Sequence, residues 1–239
     1  MADQGMLGVL GGMGPLASAQ FMLRLTLLTP ALRDQDHIPA VLWSDPRVPD
    51  RTAARVAGGE DPLPALLRGI RGLEAAGCGA IAIPCNTAYG WHAAMQAATP
   101  LPILHIVEAA AAELRRIGIA PGAPVGVMGT AGTLAMRLYQ DGLARHGHDC
   151  LLPAPEEMDR FVTPAIALVK ANRVAESYAP LAEAARRLVG RGATAVVLGC
   201  TEIPLGIAAG PPLPFPVVDT IDALARAAIA WAGRATAPE

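Results

Sequence analysis

The sequence predicts an α/β protein made of two similar parallel-sheet domains that face each other across a central cleft. Three observations carry that prediction. Short, continuous apolar runs alternate with helix-patterned stretches, and strands buried on both faces belong to parallel sheets covered by helices. The chain repeats three of its motifs in the same order. Its 239 residues are 52% hydrophobic and only 17% charged, ample for a large buried core.

The elements follow in order. Leu7-Gly8-Val9-Leu10 is a short apolar run that ends in glycines, and a helix is predicted from about Pro15, because proline suits a first helical turn. Residues 62–76 read as a helix, 79–83 as a second buried strand, Pro102–Ile106 as a third, and 107–117 as the helix after it. Pro124–Met128, Ala195–Leu198 and Pro216–Val218 repeat the strand pattern, with helices over 178–190 and about 221–232. Residues 75–107 contain no Asp, Glu, Lys or Arg and exceed the roughly 20 residues of a membrane span. Pro84, Asn86, Thr87, Gly90, His92, Gln96, Pro100 and Pro102 interrupt them, so they read as two buried strands joined by a turn and a helix.

The repeats set the domain plan. Gly8–Ser18 overlays Gly126–Met136 with six of eleven positions identical, at an offset of 118. Ile83-Pro84-Cys85-Asn86-Thr87 overlays Leu198-Gly199-Cys200-Thr201-Glu202 at 115, and Pro102–His105 overlays Pro216–Asp219 at 114. Three ordered matches imply two α/β halves related by an approximate twofold. The expected domains are 1–105 plus 208–239, and 106–207, with the last helix returning to pack on the first. Cys85 and Cys200 then occupy equivalent places just past the carboxyl ends of strands, where open α/β sheets bind ligands.

Charge and cysteine content narrow the function. A formal net charge of −2 argues against a nucleic-acid binder. Met1-Ala2-Asp3-Gln4 shows no basic region ahead of an apolar one, so no signal peptide is expected and a cytoplasmic location is. Cys78, Cys85, Cys150 and Cys200 form no CxxC pair and no metal-ligand spacing; free thiols are the default, and no metal site is expected. Eighteen of the basic residues are Arg and one is Lys, Lys170.

Two motifs carry chemistry. Gly12-Met13-Gly14-Pro15-Leu16-Ala17 matches G-x-G-x-x-A between a strand and a helix, with Asp34 and Asp36 near the distance of a ribose-binding acid. It reads as a dinucleotide loop, a tight turn, or a carboxylate site formed by backbone amides at a helix start. Cys85 and Cys200 suit a two-base reaction, in which one thiolate removes a proton from a carbon and the opposite thiol returns one to the other face. Cys78 and Cys150 have no counterpart in the other half and read as packing residues. His105, between a strand and a helix, reads as a hydrogen-bonded structural histidine, and His146 and His148 as solvated. Arg51 lies in a polar loop with Arg47 and Arg55.

Several blocks together resemble the aspartate/glutamate racemase family: Gly11-Gly12-Met13-Gly14-Pro15, Pro49-Asp50-Arg51-Thr52, Pro84-Cys85-Asn86-Thr87-Ala88, Gly129-Thr130-Ala131-Gly132-Thr133, Val169-Lys170-Ala171 and Gly199-Cys200-Thr201-Glu202-Ile203-Pro204. The resemblance runs from residue 8 to about 226. It implies a cofactor-independent racemase, without pyridoxal phosphate, acting on aspartate or glutamate, with Cys85 and Cys200 as the two acid/base residues. It implies Arg51 and Lys170 at the distal carboxylate, and Met13, Asn86, Thr87, Thr130 and Thr201 along the substrate pocket. Gly14 belongs to the loop whose amides would meet the other carboxylate. Glu202 resembles the aspartate branch, and either tunes Cys200 or caps a helix. Leu16, Ser18 and Met136 depart from the pattern at positions where the family often has Glu, Thr and Ser. A homodimer is implied by the resemblance alone. Racemases of the same family acting on other amino acids, a nucleotide-dependent oxidoreductase and a non-catalytic small-carboxylate binding protein remain as alternatives.

Overall fold

The computed structural model describes residues 5–233; Met1–Gln4, on which the signal-peptide expectation rests, and residues 234–239 lie outside the described residues. The first half holds β1 (Met6–Gly11), α1 (Pro15–Leu28), β2 (Ala40–Ser44), α2 (Arg51–Val56), α3 (Leu63–Ala75), β3 (Cys78–Ala82), α4 (His92–Ala97) and α5 (Ile106–Arg116). The second holds β4 (Val125–Gly129), α6 (Ala131–Ala135), α7 (Leu138–Ala144), β5 (Cys150–Leu151), α8 (Pro155–Glu157), α9 (Thr163–Lys170), α10 (Val174–Gly190), β6 (Ala195–Gly199), α11 (Glu202–Ala208), β7 (Val217–Asp219) and α12 (Thr220–Trp231). Among the described residues no helix is long and apolar enough to cross a membrane.

Two sheets form, with orders β2-β1-β3 and β5-β4-β6-β7, and every pairing is parallel. Parallel neighbours need crossovers, which the helices supply. β4 and β6 are buried along their whole length, as expected of central strands covered on both faces. The Pro102–Ile106 strand is reduced to one bridge between Ile81 and Ile103, held by Ile81 N to Pro102 O and Leu104 N to Ile81 O at 2.9 Å each. Pro100 and Pro102 lack the N–H groups a longer ladder needs.

The halves are also knitted differently from the boundary drawn at residue 208. β7 pairs with β6, with Val196 opposite Val217 and Leu198 opposite Asp219, so residues 217–219 belong to the second sheet. The repeat explains this: each sheet's thiol strand is flanked by the strand that follows it, Ile103 beside β3 and β7 beside β6. The return to the first half comes at α12, which packs on α1 and α5. α5 in turn leans on α7 and β7, so each half's last helix lies against elements of the other. Arg24 of α1 holds Asp222 of α12 through Nε and Nη2 at 2.5 and 2.6 Å.

This topology positions a site. The chain leaves β1 for β2 on one side and returns to β3 on the other; from β4 it goes to β5 and then β6. Crevices open where the strand order reverses, at the carboxyl ends of β1/β3 and of β4/β6. The turn after β1 depends on Gly12, whose φ is +90° and whose Cβ would stand 2.4 to 2.5 Å from the backbone of Asp45.

Candidate active site

The residues after those strands converge. Met13, Asp50, Arg51, Thr52, Cys85, Asn86, Thr87, Thr130, Lys170, Cys200, Thr201 and Glu202 line one small pocket of about 270 Å³. Of the positions singled out in the sequence, only Gly14 stands behind this lining, and it reaches the pocket through Glu202. Cys85 follows β3 and Cys200 follows β6 directly; they are 5% and 4% exposed, so both thiols sit in a largely dry pocket.

Glu202 is the most connected group in it. It opens α11 and is buried. Its Oε2 accepts the Cys200 thiol at 3.0 Å, and its Oε1 accepts the Gly14 amide at 3.2 Å. Burial pushes the Cys200 thiol well above its ordinary value, and the neighbouring Glu202 charge and hydrogen bond push it the same way. Cys200 is therefore held as a thiol. The glycine loop is also tied inward by Ser18, whose Oγ accepts the Gly12 amide at 2.9 Å and donates to Gly14 O at 2.8 Å. Two of the loop's amides thus have partners inside the protein, where either a dinucleotide pyrophosphate or the expected substrate carboxylate would need them free.

The pocket walls are tied across the two halves. Thr87, Thr130 and Thr133 share hydroxyl contacts of 2.9, 2.9 and 3.0 Å. Asn86 accepts from Tyr139 at Oδ1 and donates through Nδ2 to Thr220 Oγ1 at 3.2 Å, so both ends of its amide are occupied by structural partners. Thr201 Oγ1 donates to Pro84 O at 3.2 Å. Each such bond contributes about 1 kcal/mol net and together they fix the cleft's width.

Arg51 is not in a loop. It begins α2, where Asp50 accepts the Ala53 amide at 2.7 Å as the helix cap. Its Nη1 donates to Val48 O and Pro49 O at 3.1 and 3.0 Å, which orients the guanidinium, while its buried Nε has no hydrogen-bond partner. Lys170 ends α9 on the same pocket. Burial opposes the Asp50 charge, but the Ala53 amide and Lys170 outweigh it and hold the carboxyl below its ordinary value.

Asp50 and Thr52 were visible only inside the Pro49–Thr52 block, with nothing to single them out; Tyr139 and Thr220 carried no sequence signal. His105 caps α5 by accepting the Val107 amide at 3.3 Å, and burial, then His92, lowers it to about 4. His148 is buried rather than solvated, its Nδ1 3.1 Å from Ala123 O. Among the described residues no group of three or more His, Cys, Asp or Glu is placed to hold a metal ion.

Comparison with known proteins bears on the family and the fold. The profile of the Asp/Glu/hydantoin racemase family matches residues 10–228. The solved aspartate racemase of Picrophilus torridus is 30% identical and superposes with a TM-score of 0.81, covering 98% of this chain and 96% of that one. The broad specificity amino-acid racemase RacX of Bacillus subtilis (strain 168) is 27% identical over 202 residues, 83% of this chain and 86% of RacX. The fold extends to the glutamate racemase of Francisella tularensis subsp. tularensis, solved with D-glutamate, at 16% identity and a TM-score of 0.66, covering 95% and 81% of the two chains.

Proposed function

Because the chain belongs to the Asp/Glu/hydantoin racemase family, we propose that it interconverts the L and D forms of an acidic amino acid, aspartate or glutamate, by proton transfer between two cysteines and without pyridoxal phosphate. The observation that carries the reading is the pair of buried thiols, one from each half, on a single pocket.

The geometry supplies each part. The Cα proton of an amino acid is weakly acidic, so its removal needs a base, a dry pocket and donors that stabilise charge growing on the α-carboxylate. Thr87, Thr130 and Thr201 and the backbone around them line the wall where such donors belong. Arg51 and Lys170 supply positive charge for the distal carboxylate, with the free Arg51 Nε facing an otherwise unmet need. Cys200, held as a thiol by burial and Glu202, is the resting acid, and Cys85 is the base. Cys85 takes the proton from one face, Cys200 gives one to the other, and the pair ends with its protonation reversed, ready for the opposite enantiomer.

The test is to incubate L-aspartate and L-glutamate separately with the protein and follow both enantiomers by chiral chromatography. Conversion of at least one of them to a racemic mixture is expected. No conversion of either would contradict the reading.

A further inference from the structure

A second groove, open to solvent, adjoins the candidate catalytic pocket. It is wider, about 780 Å³, and shares Asp50, Thr52, Thr130 and Lys170 with the first. Beyond those four residues its walls are almost wholly apolar: Ala53, Val56 and Ala57 from α2 and the turn after it, Ala131 from α6, and Ile166 and Ala167 from α9. Thr163 is the remaining polar neighbour.

The position of this groove matters more than its size. α2 and α9 carry Arg51 and Lys170, the groups that would meet the end of a substrate side chain. A side chain longer than that of glutamate, pointing the same way, runs past Lys170 into the groove. The charge at the junction does not exclude a neutral chain, because Asp50 lines it together with Lys170 and offsets part of that charge. Past the junction an acidic group would find no cation among the lining residues, whereas a hydrocarbon chain would bury apolar surface at about 25 cal/mol per Å².

We infer that the groove between α2, α6 and α9 is a side-chain subsite, and that the protein also racemises amino acids whose apolar side chains are longer than that of glutamate, such as phenylalanine and homophenylalanine. This rests on the two-cysteine racemase reading and widens its substrate class. The proton steps are the same as for an acidic substrate: the Cα–H bond breaks toward one cysteine and a new one forms from the other.

The experiment follows loss of the Cα proton by NMR in D2O, for L-aspartate, L-glutamate, L-phenylalanine and L-homophenylalanine, with the native protein and with Ala167→Trp and Val56→Trp. Both replaced residues line only the groove, and both are solvent-exposed, so the variants should fold. The native protein is expected to exchange at least one long apolar amino acid. Filling the groove should slow that exchange at least about tenfold while leaving kcat/KM for the acidic substrate within about twofold. The inference is overturned, with the racemase reading intact, if only aspartate or glutamate exchanges. It is equally overturned if the Trp variants leave exchange of the apolar substrate unchanged, or slow acidic and apolar substrates alike, since the groove would then be no subsite or merely the common entrance. Exchange of no amino acid at all would remove both readings together.

Discussion

At the scale of single residues, Glu202 is the group that, in the proposed two-cysteine mechanism, decides which thiol starts as acid. Its carboxylate lies against Cys200 and receives the Gly14 amide, so it sets a protonation state and a loop position at once. A negative charge beside a thiol penalises the thiolate, and a neutral amide does not. Glu202→Gln should therefore lower the Cys200 value, and the alkaline limb of the kcat/KM profile, where the acid is lost, should move to lower pH. A profile whose alkaline limb stays in place would show that Glu202 does not govern Cys200. Both cysteines and Lys170 were legible in the sequence, the thiols through the repeat and the lysine as the singleton among arginines. The contact between Glu202 and Gly14 was not, because 188 positions separate the partners and only the closure of the two halves brings them together.

At the scale of elements, the helix starts carry much of the site. Thr130 caps α6 through the Thr133 amide, Asp50 caps α2, and Asp219 caps α12 through the Ile221 and Asp222 amides at 2.7 and 3.3 Å. Asp219 differs from the others. Burial, then the Asp222 charge, raises it from 3.8 to about 7. Between those values the folded chain keeps a proton that the unfolded chain releases, so Asp219 contributes stability that is full below about pH 4 and is lost as pH rises to about 7. Asp219→Asn keeps a capping oxygen and removes the titration. Its melting temperature, measured relative to the native protein from pH 4 to 7, should rise across that window; a constant difference would contradict the linkage. The long elements were readable because their apolar periods are long. β2 and β5 were not: β2 is half-exposed, and β5 is two residues long. Short helices such as α2 and α6 carry too few turns for a periodic signal, which is why Arg51 read as part of a loop.

At the scale of the whole molecule, the duplication does more than double the core. It brings two equivalent strand ends, each with a thiol, to one pocket, and inversion at carbon by two bases would use such a pair. The sequence repeat anticipated that both thiols follow matching strands, and it also contained the place of β7, which the boundary at 208 missed by following the return of the last helix. The exchange of α5 and α12 between halves, and the hydroxyl contacts of Thr87 with Thr130 and Thr133, hold the two sides at a fixed separation. The most direct test of the two-sided site is isotopic. Pure L-aspartate, or L-glutamate if that is the better substrate, is converted in D2O to low extent and both enantiomers are recovered. Two cysteines acting from opposite faces predict deuterium at Cα of the D product and retained protium in the remaining L substrate, with no deuterated D product formed by Cys85→Ser or by Cys200→Ser. Deuterium entering the recovered L substrate as fast as the D product, or full activity in either serine variant, would contradict the account.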